Sequence, residues 1–430
     1  MALLGNLGKW YPIALLMLYQ PFPIKVVAYL LESLRRSSIP QCSVPNKLEI
    51  RLQVLRGLAL TSAISLTLGH KGPAIAQITP DGTLSTTVTS TDGLNFVIDA
   101  GDVCCTSSGQ HAGPNLFHCF DQFSIPTHGA AHFNNALSVE NIISRVTGRT
   151  ISNIDGYLTA NGTANVFLLN PNGLIFGPNA RLDIGGSFFA STGDRLMFAD
   201  GSEFRTDSQS RPLLTLSTPI GLQIGQDSGP ITIQGPGHQL IHTRDFFAVQ
   251  NVASQPLGLR VNPGKTLSLI GSDITLNGAI LSAASGHIEL GSLDTGLVQW
   301  NDEASHFTYD TSQFQDLHLL QRSLLEVSGL QSGSVQLKGA NVLLASGATV
   351  LAQQSGGQTG GVIALNGTES VRLRGTAPGG TPRTQIRTET SGTGTGGLIE
   401  ISTPLLHLSG ASGVLSSTFG PADGGYPTLP

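Results

Sequence analysis

Thiol and imidazole side chains are concentrated in one short part of the sequence. This concentration comprises Cys104, Cys105, His111, His118, Cys119, His128 and His132. Cysteine and histidine are the usual ligands of structural zinc, but their spacing here lacks the two Cys-x-x-Cys pairs of a common zinc site. We favour a disulfide between Cys119 and either Cys104 or Cys105, because the chain carries an export signal and exported proteins oxidise their thiols. We therefore predict no metal site and no cofactor, and the disulfide connectivity stays open.

Residues that could carry out catalysis are dispersed along the chain. The acidic side chains form no evident cluster, and Lys265 and Lys338 are the only lysines after residue 76. Hydrolysis or elimination on sugars needs paired acids, or an acid beside a base, on one face. Motifs for a nucleophilic serine, a zinc protease, a phosphate loop or a dinucleotide site are also missing. The sequence therefore predicts no catalytic residue and no enzyme, with a β-helical carbohydrate-active enzyme kept as the alternative.

The composition narrows the fold classes. The 430 residues include 53 glycines and only 12% charged residues, with a formal net charge of −5. An ordinary soluble domain has about 25% charged residues. Low charge argues against a disordered chain, the net charge disfavours nucleic-acid binding, and four cysteines are too few for a disulfide scaffold. A long, glycine-rich, weakly charged chain is typical of repetitive β structure, in which many turns need a small residue.

The N-terminal part has the pattern of an export signal. Basic residues precede an apolar run at 57–68, which is followed by an Ala-x-Ala site ending at Ala76. These three features define a Sec signal peptide. We therefore assign residues 47–76 to it and predict cleavage between Ala76 and Gln77. Residues 1–46 have three interpretations, namely part of a long signal peptide, a second membrane segment or, as we favour, sequence upstream of the true start codon.

After Ala76 the sequence favours short β-strands. Apolar residues alternate in runs of three to five, bounded by turn residues. In the later half a phrase of the form Gly-x-(Ile/Val)-x-(Leu/Ile) occurs four times, beginning at Gly286, Gly333, Gly361 and Gly397. Repeats of about 20–50 residues indicate stacked architectures, and the varying spacing argues against a propeller. We predict an all-β fold, a right-handed parallel β-helix with an N-terminal cap and extra-helical hairpins or loops, its apolar side chains inward and its polar ones outward.

Two segments depart from this repeat. Residues 294–327 are rich in aromatic residues and leucine, and the spacing from Phe314 to Leu325 allows a short amphipathic helix. We interpret this segment as an excursion from the rod. The last residues, 416–430, begin another Gly-Gly phrase that does not continue, which leads us to expect a truncated form of a longer protein.

One region resembles a known family. Its motifs follow in order at 115–123, 133–135, 141–148, 152–156, 165–177 and 180–190. The run resembles the N-terminal secretion domain of filamentous-haemagglutinin-type two-partner secretion exoproteins, in the form typical of cyanobacteria. The resemblance covers about 77–235, which we assign as the secretion domain. Residues 236–430 resemble the repetitive passenger of such proteins only in style.

The family's Asn-Pro-Asn-Gly signature matches Asn170, Pro171, Asn172 and Gly173. Proline fixes φ in the second position of a turn, while asparagine and glycine tolerate positive φ. The tetrapeptide therefore reads as a coil corner needed for folding, and direct contact with a transporter is the alternative. In the family this element is implied to be important for secretion.

The resemblance also implies an export route. The chain is expected to cross the inner membrane by the Sec machinery and to be recognised in the periplasm by an outer-membrane β-barrel transporter with POTRA domains. It is then expected to be secreted or held at the cell surface as a non-enzymatic, haemagglutinin-like adhesin. Its targets would be carbohydrate or protein on host or neighbouring cells, and no nucleic acid. A truncated toxin stalk is a further alternative.

Overall fold

Short parallel strands dominate the fold. The computed structural model describes residues 77–99, 111–207, 211–241, 248–250, 252–301, 306–421, 425 and 427–429. The predicted signal peptide, the N-terminal extension and the thiols of Cys104 and Cys105 lie outside these residues. Within the described residues, no helix reaches the length and hydropathy needed to cross a membrane, and the one helical element is a 3-10 turn at Val252–Ser254.

Most strands stack in parallel on three faces, and one passage of the chain around these faces makes a coil. The first face contains β5 (Asn115–Phe123), β7 (Asn141–Val146), β10 (Asn165–Leu169), β13 (Phe188–Ser191), β19 (Thr266–Asn277), β21 (His287–Ser292), β26 (Ser334–Ala345), β28 (Val362–Arg374), β30 (Leu398–Ser402) and β33 (Pro427–Thr428). The second face contains β8 (Ser152–Ile154), β11 (Leu174–Phe176), β17 (Pro230–Gln234), β24 (Leu317–Leu320) and β31 (Leu406–Ser409). The C-terminal halves of β19, β26 and β28 turn the corner and join this second face.

The third face is built in two blocks. The first block contains β3 (Asn95–Asp99), β6 (Ala130–Phe133), β9 (Tyr157–Ala160) and β12 (Arg181–Asp183). The second contains β18 (Leu259–Val261), β20 (Ile280–Ala283), β25 (Leu324–Glu326), β27 (Thr349–Gln354), β29 (Gln385–Thr390) and β32 (Gly413–Thr418). Every pairing among the strands of each block is parallel.

Antiparallel strands close the N-terminal end and build a second layer. At that end, β1 (Ile78–Pro80) and β4 (His111–Ala112) pair with β5, and β2 (Thr87–Thr89) pairs with β3. A separate sheet contains β14 (Arg195–Phe198), β15 (Glu203–Arg205), β16 (Pro219–Ile224), β22 (Gly296–Trp300) and β23 (Phe307–Asp310). The structure thus confirms the predicted all-β parallel β-helix with an N-terminal cap and extra-helical hairpins.

The four repeated phrases lie directly above one another on the first face. Ile288 pairs with Val335, Val335 with Ile363, and Ile363 with Ile399. All four side chains are fully or almost fully buried in the core. The spacing between copies varies because hairpins and loops leave the coils between the repeated strands, while the register of the strands stays fixed.

The expectation that outward positions are polar is wrong for the first-face strands from β5 to β19. Outward-pointing Phe167, Phe189 and Ile270 belong to a second apolar cluster, distinct from the core inside the coils. The antiparallel sheet covers them with side chains such as Trp300 and Phe204. Phe167 and Phe189 stack with ring centroids 4.5 Å apart and an interplanar angle of 4°. The consecutive apolar residues of β10 and β13 are therefore buried on both sides.

The short helix that the spacing from Phe314 to Leu325 allows is not formed. This stretch contains β24 and most of β25, whose residues alternate between the interior and the outside of the coil. Leu317 and Leu319 point inward with a period of two, and a corner separates them from Leu325. Two short strands joined by a corner can imitate helical spacing, which is why the apolar pattern misled. The hairpin β22–β23 is the part of 294–327 that leaves the rod.

Candidate functional site

The Asn-Pro-Asn-Gly tetrapeptide forms the corner between the first and second faces. It directly follows β10 and directly precedes β11. The backbone N–H of Gly173 donates to the carbonyl of Asn170 (3.2 Å), which closes a tight turn. Gly173 has φ of +125°, a conformation that favours glycine. The predicted coil corner is therefore present at residues 170–173.

Asn170 fixes this corner from the inside. Its side chain is fully buried. Its Nδ2 donates to the carbonyl of Thr150 and to Oγ of Ser152, both at 2.9 Å. Its Oδ1 accepts the backbone N–H of Asn172 at 3.0 Å and the side-chain Nδ2 of Asn172 at 2.8 Å. One amide therefore ties its own turn to the corner of the preceding coil.

Asn172 and Gly173 extend the link to that preceding corner. Asn172 Nδ2 also donates to the carbonyl of Gly148 (2.8 Å), and the carbonyl of Gly173 accepts the backbone N–H of Ser152 (3.1 Å). Each backbone group is thus paired through the stack, as buried polar groups require. The corner has no exposed carboxylate, thiol or imidazole among these residues, so its arrangement suits positioning rather than chemistry.

The chain returns to the other side of this corner after the antiparallel strands β14, β15 and β16. The backbone N–H of Gly229 donates to the carbonyl of Pro171 at 2.7 Å. A Cβ at Gly229 would lie 2.2 Å from the carbonyl oxygen of Asn172, so only glycine allows this approach. Pro230 begins β17 immediately afterwards and continues the second face. The tetrapeptide is therefore the platform on which the chain re-enters the β-helix.

Cys119 lies beneath the cap rather than at the surface. Its side chain is almost fully buried, and its Sγ accepts a hydrogen bond from Nε of Arg145 at 3.0 Å. Burial raises the pKa of the Cys119 thiol to about 11. The guanidinium of Arg145 also donates to the carbonyl of Arg205 and lies 4.9 Å from the ring centroid of Phe204. The predicted disulfide from Cys119 to Cys104 or Cys105 stays a prediction, since those two thiols lie outside the described residues.

His118 and His132 of the same region make different contacts. His118 is buried against Phe120 and Phe133, and its Nδ1 lies 3.3 Å from Oγ1 of Thr86. His132 on the third face shares a hydrogen bond with Thr159 at 2.8 Å. Within the described residues, no three His, Cys, Asp or Glu side chains are grouped to hold a metal ion.

Comparison with known proteins assigns the chain to a family. The family model of the TPS secretion domain matches residues 76–340, which is 265 of the 430 residues. The chain belongs to the TPS secretion domain family. The match to the TPS secretion domain begins one residue before Gln77 and runs into β26. It thus includes the cap, the Asn-Pro-Asn-Gly corner and both hairpins of the antiparallel sheet.

Two solved structures of secretion domains are similar to the chain. The crystal structure of the filamentous hemagglutinin secretion domain has 14% identity and a TM-score of 0.44, and covers 82% of this chain and 99% of its own. The HMW1 secretion domain from Haemophilus influenzae has 16% identity and a TM-score of 0.39, and covers 79% of this chain and 98% of its own. The comparison with curated proteins gives no match.

An asparagine ladder at the start of the first-face strands, at the opposite end of β10 from this corner, was not recognised in the sequence. Nδ2 of Asn141 donates to Oδ1 of Asn115 (2.9 Å), and Nδ2 of Asn165 donates to Oδ1 of Asn141 (3.0 Å). The register places each asparagine at the first position of a first-face strand. The available signal was the recurrence of asparagine, at intervals of 26 and 24 residues, at the start of apolar runs.

Proposed function

We propose that this chain is a secreted, non-enzymatic exoprotein that crosses the outer membrane through a β-barrel transporter with periplasmic POTRA domains. The observation that carries the proposal is the match of the TPS secretion domain over a continuous β-helix. In this proposal the Sec machinery first exports the chain, and signal peptidase cleaves between Ala76 and Gln77. The protein then acts outside the cell, or at its surface, as a haemagglutinin-like adhesin toward carbohydrate or protein on other cells.

The corner at residues 170–173 takes a folding role in this proposal. Burial of Asn170 and its bonds to Thr150 and Ser152 leave little of this side chain for an external partner. Its contribution to secretion would follow from the formation of successive coils, since each folded coil opposes backsliding through the transporter. The hydrogen bond from Gly229 to the carbonyl of Pro171 connects this corner to the next coil in the same way.

Deletion of the partner transporter tests the export route. We expect the parental strain to release the chain with Gln77 as its N-terminus, and the deletion strain to retain it or degrade it in the periplasm. Restoring the transporter on a plasmid should restore release. Unchanged release from the deletion strain would contradict the proposal, and an N-terminus other than Gln77 would contradict the cleavage site alone.

Attachment assays test the adhesin role separately. Cells that secrete the chain should bind a surface or aggregate more than cells that lack its gene, and the purified chain should restore this behaviour. Equal attachment by both strains would contradict the adhesin role while leaving the export route intact.

A further inference from the structure

A groove lies on the outer side of the third face, over the strands β18 to β29. Its volume is about 640 Å³, within the range of about 300–1,000 Å³ usual for small-molecule sites. Leu240 and Val249, from the chain between β17 and β18, pack on this outer side against Ile280, Leu324 and Leu351. Ala248 and Val252 of the same segment line the groove and form one wall of it. The Asn-Pro-Asn-Gly corner lies elsewhere, between the other two faces.

Polar side chains anchor this wall. The backbone N–H of Val249 donates to both carboxylate oxygens of Glu389, at 3.0 and 3.1 Å. Nε2 of Gln353 donates to the carbonyl of Val249 at 2.9 Å. Arg387 forms an ion pair with Glu389. The carboxylate of Glu389 is therefore fully engaged in holding the wall and is occupied before any ligand arrives.

The floor of the groove presents a cation and a second carboxylate two strands apart. Arg260 pairs in register with Ser282, and Ser282 with Glu326, so the three side chains follow one another across adjacent strands. Arg260 is exposed, whereas Glu326 is 7% exposed and accepts the backbone N–H of Ser328 at 2.8 Å. Burial raises the pKa of Glu326, and the charge of Arg260 opposes that shift.

An aromatic ring completes the lining. Phe419 follows β32 and is 38% exposed, so part of its ring is open to a ligand. The groove therefore combines a guanidinium donor, a carboxylate acceptor and an apolar ring. A cation would be repelled by Arg260 and an anion by Glu326. A neutral polyol matches all three groups, because each sugar hydroxyl both donates and accepts while the ring carbons offer an apolar face.

We propose that this groove binds a short neutral oligosaccharide. Glu326 accepts hydrogen bonds from sugar hydroxyls, Arg260 donates to them, and Phe419 packs against a sugar ring. The inference rests on the proposed adhesin function in one respect, because it names the ligand class through which attachment would occur. Its physical basis, however, is the groove itself.

The same geometry favours binding over hydrolysis. Glu326 and Glu389 lie two strands apart and two residues out of step, and both line the groove. Glycosidases act through two carboxyl groups and need one of them free to transfer a proton. Glu389 is committed to Arg387 and Val249. The groove thus holds a sugar without the paired acids that would cleave it.

Calorimetric titration of the purified full chain tests this inference. The probes are maltotetraose, cellotetraose and mannotetraose as neutral ligands, and sialyllactose as an anionic one. We expect at least one neutral tetrasaccharide to bind. Removal of a charged hydrogen-bond partner by Arg260→Ala or Glu326→Gln should weaken that binding about 10- to 100-fold. Arg372→Ala, an equally exposed arginine on another face, is the matched control and should change affinity less than about twofold.

Several results would overturn the inference. These are binding to none of the neutral sugars, binding to sialyllactose alone, or equal weakening by Arg260→Ala and Arg372→Ala. Secretion of each variant is measured in parallel. A secreted chain that binds no sugar overturns the groove and leaves the export proposal untouched. Sugar binding that depends on Arg260 and Glu326 supports the groove whether or not cells attach.

Discussion

Replacing Asn170 with alanine should open the corner between the first and second faces. The substitution removes two donated and two accepted hydrogen bonds at a fully buried position. It leaves the carbonyl of Thr150 and the N–H of Asn172 without these partners. An unsatisfied buried polar group costs about 1–3 kcal/mol. We expect a net loss of about 2–4 kcal/mol in local stability, because water can reach part of an opened corner.

Amide hydrogen exchange measures this loss where it occurs. The informative amides are those of Asn172, Ser152 and Gly229, which are hydrogen-bonded across the corner. A loss of about 2–4 kcal/mol corresponds to exchange about 30- to 900-fold faster at these positions. Asn277→Ala, at an exposed asparagine near the end of β19, is the matched control and should leave exchange within about twofold.

The secretion level of the same variants decides between folding and recognition at this corner. If folding is the role, Asn170→Ala should lower secretion together with protection of Ser152 and Gly229. Unchanged exchange in the purified variant would refute the reasoning from burial. Lost secretion with unchanged exchange would instead assign the tetrapeptide to direct contact with the transporter.

Three further predictions follow from contacts elsewhere. Gly229→Ala forces a Cβ against the carbonyl of Asn172 and should destabilise the protein by about 1–3 kcal/mol or more in thermal unfolding. Gly357→Ala, at an exposed glycine, should leave the stability unchanged. Burial lowers the pKa of His118 to about 3, so its stabilising contribution is present above the unfolded value of about 6.5 and is lost as pH falls toward 3. His118→Gln should reduce the slope of the free energy of unfolding against pH over that range by up to about 1.4 kcal/mol per pH unit. His407→Gln should keep the slope of the parent protein. Non-reducing peptide mapping should recover Cys119 cross-linked to one of the two upstream thiols, and recovery as a free thiol that alkylates only after unfolding would contradict the predicted disulfide.

The sequence allowed the repeated core to be predicted because its signal is local. Inward Ile288 and Val335 alternate with polar neighbours, and a period of two has few explanations other than a strand. Ile363 and Ile399 occupy the same position of the repeated phrase. The glycine that precedes each phrase marks the corner. The identity of each strand therefore follows from residues within five positions of one another, and the recurrence of the phrase indicates that these strands stack.

The antiparallel sheet could not be predicted in the same way. Its contacts with the first face include residues more than one hundred positions apart, such as Phe189 and Trp300, whose ring centroids lie 5.5 Å apart. One nearby indication of this sheet was the sequence Phe188-Phe189, whose two side chains are buried on opposite sides of β13. A strand that is apolar on both sides needs a cover, but nothing nearby in sequence identifies the cover.

The candidate site, too, could be predicted from the sequence only in part. The turn at residues 170–173 was readable from proline and glycine, whereas burial of Asn170 was not, because its partners Thr150 and Ser152 belong to the previous coil. The groove was missed for a related reason. Arg260 and Glu326 are 66 positions apart in sequence and meet only through the register of three strands.

Two kinds of contact place different demands on the order in which this chain folds. The corner contacts connect successive coils, since the turn at 170–173 bonds to Gly148 before it and to Gly229 after it. Chain that emerges N-terminus first could therefore add coils one at a time. The cover over Phe167 and Phe189 cannot form in that order, because Trp300 emerges far later. The aromatic rings of Phe167 and Phe189 must therefore stay partly uncovered until the hairpin β22–β23 has emerged. The predicted domain boundary at residue 235 separates the coils that carry these rings from the part of their cover that β22 and β23 supply. This packing therefore argues against a boundary at that residue.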